Sequence, residues 1–138
     1  ARQNAILNKA QVDFVRGDIL SPEQDLDDLL LLENGVDIIV SNPPYVREQE
    51  KEQIAPNVIR HEPVIALFVK DSDPLIFYRR IAQFAKKYLK PEGVLYFEIN
   101  QYLYKDLVFL LKTEGFGEVL LRKDIFGKER MIKCRKDD

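Results

Sequence analysis

The chain has 138 residues, 46% of them hydrophobic and 32% charged, with a formal charge of -2; this suits a single core-forming unit and excludes disorder, low complexity and a polyanion-binding field over the whole surface. One cysteine, Cys134, excludes an internal disulfide, and with His61 as the lone histidine a zinc site is poor chemistry, so no metal is expected. The most apolar stretch, Leu29–Leu32, is hemmed in by Asp27, Asp28 and Glu33, well short of a membrane span, and a reducing, cytoplasmic setting fits.

In chain order, Ala1 to Ala10 reads as the tail of a helix and Val12 to Val15 as a short strand leading to Gly17-Asp18. An acidic helix is predicted from about Pro22 to Glu33, stopped by Asn34-Gly35. The apolar run Val36–Ser41 is a strand. A long loop rich in Glu, Gln and Pro follows, from Val46 to about Ser72. Leu75, Tyr78, Ala82, Ala85 and Leu89 then fall at helical spacing, with Pro91-Glu92-Gly93 as the stop, and Phe77, Phe84 and Tyr88 share that core reading. Val94–Ile99 is a strand, and Leu103, Leu107, Leu110 and Leu111 mark a helix ended by Gly115. Glu118–Lys123 and Arg130–Lys133 are two strands joined at Phe126-Gly127, an antiparallel pair. The alternation predicts an α/β fold, a mainly parallel sheet with an antiparallel edge strand. None of the six glycines forms the Gly-rich strand-to-helix turn that receives a nucleotide-like cofactor, and the chain is expected to be the carboxyl-terminal part of a larger domain.

Asn42-Pro43-Pro44-Tyr45 follows directly on the strand Val36–Ser41, at the sheet edge where open α/β proteins bind ligands. An amide or base nitrogen is a weak nucleophile because its lone pair is delocalised. Alkylating it requires acceptors aimed at the positive charge that builds on its N–H groups. The Asn42 side-chain oxygen and the Pro43 carbonyl are such acceptors, Pro43 and Pro44 hold the loop with little entropy left to lose, and Tyr45 offers a flat face to a planar target. The plainer reading is a loop with Tyr45 as a partly buried anchor.

Further segments carry a family resemblance in a fixed order. They are Asn4-Ala5, Gly17-Asp18, Val40-Ser41-Asn42-Pro43-Pro44-Tyr45-Val46, His61-Glu62-Pro63 with Ala66-Leu67, Phe77-Tyr78-Arg79, Leu89-Lys90-Pro91-Glu92-Gly93, Phe97-Glu98-Ile99 and Lys123 to Arg130. From Asn4 to Arg135 the chain resembles the later part of the HemK/PrmC family, S-adenosylmethionine-dependent methyltransferases that modify the glutamine of the Gly-Gly-Gln motif in peptide chain release factors. Asn-Pro-Pro-Tyr alone is shared with adenine-N6 DNA and guanine-N2 RNA methyltransferases. The His-Glu-Pro segment and the Asp-x-x-Gly-x-x-Arg ending narrow the match. Asn100 and Pro74 depart from it, standing where the family commonly has glycine.

The resemblance implies a Rossmann-like class I methyltransferase fold, incomplete here because the first strands and the Gly-rich motif are absent, with residues 1–138 as the carboxyl-terminal portion of one catalytic domain. It implies S-adenosylmethionine as cofactor, release factors as partners, Asn42 and the Pro43 carbonyl holding the target amide, and Pro44 and Tyr45 packing on it. Asp18 and Asn42 would face the cofactor, Asp18 through the adenine amino group; a turn or helix-cap aspartate is the equal alternative. His61 and Glu62 read as a loop staple or cap, and Glu98 as a supporting residue at a strand end. The loop around the site mixes Glu48, Glu50, Glu52 and Glu62 with Arg47, Lys51 and Arg60, an acid-leaning rim that gives phosphates little to bind, so stable nucleic-acid binding is not expected. Two other readings stay open: a nucleic-acid amino-methyltransferase, and a non-catalytic interaction module. By themselves these 138 residues are expected to be inactive, to bind cofactor weakly and to self-associate through exposed strand edges.

Overall fold

A computed structural model describes residues 1–21, 34–54, 60–61 and 63–137. In chain order the elements are α1 (Arg2–Leu7), β1 (Val36–Ser41), β2 (Val46–Arg47), a 3-10 turn (Glu48–Gln53), α2 (Val64–Leu67), β3 (Phe68–Val69), α3 (Ile76–Tyr88), β4 (Leu89–Glu98), α4 (Tyr104–Thr113), β5 (Phe116–Lys123) and β6 (Glu129–Lys136). The predicted helix from Pro22 to Glu33 lies outside the described residues.

The main sheet has the order β1-β4-β6-β5. β1 and β4 are parallel, with Ile39 opposite Leu95 and Ser41 opposite Phe97, while β6 runs antiparallel to both of its neighbours. Three strands therefore point one way, and the antiparallel pair β5–β6 closes one edge of this mixed α/β sheet. The reversed strand is β6, inserted inside β5. Residues β2 and β3 form a separate short parallel pair, so the predicted long loop is partly ordered by its own ladder and 3-10 turn.

Period-2 alternation gives the sheet two unlike faces. On the inner face Leu95 and Phe97 of β4 and Ile132 and Cys134 of β6 are buried against Tyr78, Ile81, Ala82 and Ala85 of α3 and Leu107 and Leu111 of α4. These helical positions recur every three or four residues, as an amphipathic face requires. The intervening residues Ile38, Val40, Tyr96, Leu120 and Met131 lie exposed on the outer face, Val40 by as much as 75%.

Local chemistry sets the ends of the elements. Gly115, at φ 80°, stops α4 in the left-handed conformation that a side chain resists. α3 stops earlier than its Pro91-Glu92-Gly93 signal suggests. Leu89 turns extended (φ -71°, ψ 137°) and passes straight into β4, and the pairing with β1 shifts register between Val36 and Ile38 to absorb the irregular start. Val12 to Val15 belongs to no strand among the described residues. With no ladder partner among the described residues, the segment is held instead by Arg2, whose guanidinium donates to the Phe14 carbonyl at 3.3 Å, and Val12 and Val15 are exposed.

Candidate active site

β1 delivers its last residue, Ser41, to the carboxyl edge of the sheet, next to Phe97 of β4. Beyond it Asn42 is exposed, Pro43 is buried, and Pro44 and Tyr45 are half-buried. The rigid dipeptide thus roots the loop while the Asn42 amide stays open to a ligand. The Tyr45 hydroxyl donates to Glu98 Oε1 at 2.7 Å. Burial first, and then the Glu98 carboxylate as acceptor and neighbouring charge, push the Tyr45 phenol up to about 12, so it remains a neutral donor at physiological pH. Glu98 is gripped from its other side as well: the Tyr78 hydroxyl donates to its carbonyl at 3.1 Å, with the Tyr78 ring edge-on to Phe97.

A second network holds the far side of the loop. Asn100 Nδ2 donates to the Tyr45 carbonyl at 3.0 Å and to Glu50 Oε2 at 2.9 Å, and Asn100 Oδ1 accepts from the Tyr102 amide at 2.9 Å. Glu50 also accepts from the Arg47 amide and guanidinium, at 2.9 and 3.1 Å. Burial alone would raise the Glu50 carboxyl, but the hydrogen bonds from Arg47 and Asn100 outweigh it and hold the group below its ordinary value. Glu50 is therefore not part of an acidic rim, as the sequence suggested, but a buried, paired anion, only 7% exposed. Of the other rim residues that are described, Glu48, Lys51, Glu52 and Arg60 are exposed.

Asp18 is exposed and its Oδ1 accepts from the Leu20 amide at 2.9 Å, the closed ring of an Asx turn. The turn is pinned to α3, because Arg80 donates to the carbonyls of Ile19 (3.2 Å) and Ser21 (3.1 Å). Ile19 in turn lines a cleft of about 310 Å³ with Ile39, Val40, Ser41, Pro43 and Pro44. The turn bearing Asp18 and the start of the Asn42 loop thus meet at one sheet edge. Phe77 and Phe84 line the same cleft and are half-buried, so of the aromatics assigned to the α3 core only Tyr78 is fully interior. His61 is exposed, Glu62 lies outside the described residues, and among the described residues no cluster of three His, Cys, Asp or Glu is placed to hold a metal.

No protein-family model matches the chain. Sequence relatives do. The chain is 49% identical over 133 residues to a release factor glutamine methyltransferase of Flavobacterium psychrophilum, covering 96% of this chain and 44% of that protein. It is 44% identical over 136 residues to one from Bacteroides thetaiotaomicron, covering 99% and 47%. This chain is a relative of the release factor glutamine methyltransferases. It spans about half the length of the curated relatives it matches, 44% and 47% of the two named. Among solved structures, a release-factor-specific protein-(glutamine-N5) methyltransferase from Alicyclobacillus acidocaldarius aligns over 91% of this chain and 100% of its own, with 18% identity and a TM-score of 0.42.

The segments that carried the methyltransferase resemblance divide by what they do in the fold. Asp124 to Arg130 is a turn: Asp124 Oδ1 accepts from the amides of Phe126 (2.9 Å) and Lys128 (3.0 Å), and Arg130 Nε pairs with Asp124 Oδ2 at 3.5 Å. These bonds, the backbone ones foremost, hold the Asp124 carboxyl below its usual range. The residues that sequence reasoning missed are Glu50, as a buried anion, and Asn100, noted only as a departure. The Arg47-x-x-Glu50 spacing at the start of a turn was the one local signal available for the first.

Proposed function

We propose that the complete protein carrying this sequence transfers a methyl group from S-adenosylmethionine to the side-chain amide nitrogen of the glutamine in the Gly-Gly-Gln motif of peptide chain release factors, in the cytoplasm. The observation that carries this reading is the division of labour within Asn42–Tyr45. Asn42 is open at the sheet edge, while Pro43 is buried and Tyr45 is tied by its hydroxyl to Glu98 and by its carbonyl to Asn100. An acceptor that is exposed yet held on a fixed frame is what charge developing on an amide nitrogen requires, because no reorganisation remains to be done at the moment of reaction. The relatives' names support the same substrate.

The residues present fit the cofactor. Asp18 stands exposed on a turn fixed beside the end of β1, and Asn42 lies at the same edge. S-adenosylmethionine, when bound, supplies an electrophilic methyl group. Asn42 Oδ1 and the Pro43 carbonyl would orient the glutamine NH2 so that its nitrogen lone pair faces that carbon, and Tyr45 would limit the amide to one plane. One N–C bond would form as the S–CH3 bond broke, its electron pair leaving on the sulfur as a neutral thioether, and one amide proton would pass to solvent after transfer. No side-chain base is needed, since the proton becomes acidic only once the methyl has arrived, and alignment supplies most of the rate.

Replacing Asn42 with Ala in the complete protein tests this assignment. Turnover on a release factor should fall by roughly two to three orders of magnitude, the effect of losing one preorganised acceptor, and by far more than cofactor affinity weakens. Turnover within a few-fold of the parent would make Asn42 an ordinary turn residue.

A further inference from the structure

We propose that Asn100 is a positioning residue for the amide-binding loop, clamping the peptide that follows Tyr45 to the end of β4; the proposal rests on the methyl-transfer reading of that loop. Asn100 is 6% exposed, and its three hydrogen bonds occupy both N–H groups and one lone pair of the amide. The orientation of the amide follows from its partners. Turned over, its oxygen would face the Tyr45 carbonyl and the Glu50 carboxylate, two acceptors with nothing to donate. The bond to Glu50 is charge-assisted and buried, the kind that is costly to lose.

Tyr45 is therefore tied twice to the same three-residue stretch, by its hydroxyl to Glu98 and by its carbonyl to Asn100. Ile99 between them donates its amide to the Arg130 carbonyl at 2.9 Å, which fixes that stretch to β6. With Pro43 and Pro44 allowing little internal give, a shift of the Tyr45–Val46 peptide is passed to Asn42. Displacements near 1 Å in such a frame cost about a hundredfold in rate. The backbone at Asn100 is not in the left-handed region, so Ala is accepted there without strain and a change of side chain reports on the amide alone.

The test uses Asn100→Ala and Asn100→Asp in the complete protein. For Asn100→Ala, kcat on a release factor should fall about ten- to a hundredfold with the cofactor Kd unchanged. Amide hydrogen exchange should quicken at Arg47 and Tyr102, whose N–H groups donate to Glu50 and Asn100, while α3 and β4 keep their protection. Asn100→Asp keeps the shape, loses the donor at neutral pH and sets a second carboxylate against Glu50. The charged and titratable groups around that pair are Arg47, which is paired with Glu50, Asp71 and Tyr102, which act on Arg47, and Tyr78, which meets the Asn100 backbone. Its activity relative to the parent should rise as pH falls, when a proton shared by the two carboxylates restores a donor. Unchanged exchange at Arg47 and Tyr102 with kcat within two-fold would overturn the proposal. So would exchange quickened equally throughout α3 and β4, the mark of general destabilisation. Should the parent itself leave release factors unlabelled, the functional reading fails, while the exchange pattern still decides whether the clamp exists.

Discussion

Asn42 and Tyr45 sit three residues apart and answer to different tests. Tyr45 is half-buried and its hydroxyl serves Glu98, so Tyr45→Phe should cost about 1 kcal/mol in urea unfolding, the usual worth of one hydrogen bond. Asn42 is exposed, and Asn42→Ala should leave the unfolding midpoint where it was. A Tyr45→Phe variant as stable as the parent would mean that Glu98 finds water as an equal partner. Asn42 through Tyr45 were legible in the sequence because they are contiguous and follow an apolar run. Glu50 and Asn100 were not, because their bond joins residues fifty apart and neither type is normally interior. Asp18 stood equally between a turn and a ligand contact. Its Oδ1 is engaged in the turn, and its exposure leaves the ligand role proposed above open.

Between elements, the β5–β6 connection shows why turn chemistry reads well from sequence. Asp124 gathers two amides, and Gly127 takes φ 78° to close the turn. A Cβ at Gly127 meets no atom within 4 Å, so Gly127→Ala is penalised by backbone conformation alone. We expect a loss of about 1–2 kcal/mol by chemical denaturation, the left-handed cost for a residue with a side chain, and a loss near zero would show the turn relaxing to another type. Both α3 and α4 were legible for the same kind of local reason, a 3.6-residue apolar period. The strand expected at Val12 to Val15 failed because a strand depends on what lies beside it. The entry into β4 at Leu89 was hidden by Pro91 and Gly93, which usually end an element but here sit on its irregular first residues.

At the scale of the whole molecule the two faces of the sheet govern behaviour. The inner face is closed by α3 and α4, and buries Tyr78 and Cys134. Burial pushes the Cys134 thiol from 9.0 up to about 12, the Tyr45 phenol from 10.0 to about 12, and the Tyr78 phenol further still. Each raised value contributes stability that is complete below the ordinary one, because there both states hold the proton. That stability is lost as pH climbs toward 12, where only the folded state still holds it. The unfolding midpoint should thus decline above about pH 9, and a flat midpoint to pH 11 would contradict the burial. The outer face leaves Ile38, Val40, Tyr96, Leu120 and Met131 exposed together around an open recess of about 1020 Å³. Apolar surface of that extent favours association, so sedimentation of these 138 residues should show mass rising with concentration; a monomer at millimolar concentration would count against it.

Labelled methyl transfer by the complete protein tests the central claim most directly. Release factor, the same factor with the Gly-Gly-Gln glutamine replaced, DNA and RNA are each offered with labelled S-adenosylmethionine, and the products are read by mass spectrometry. The account predicts one methyl on the glutamine side chain of the first and none on the other three. Methyladenine or methylguanine with the release factor untouched would contradict the protein substrate while leaving transfer to an amino nitrogen in place.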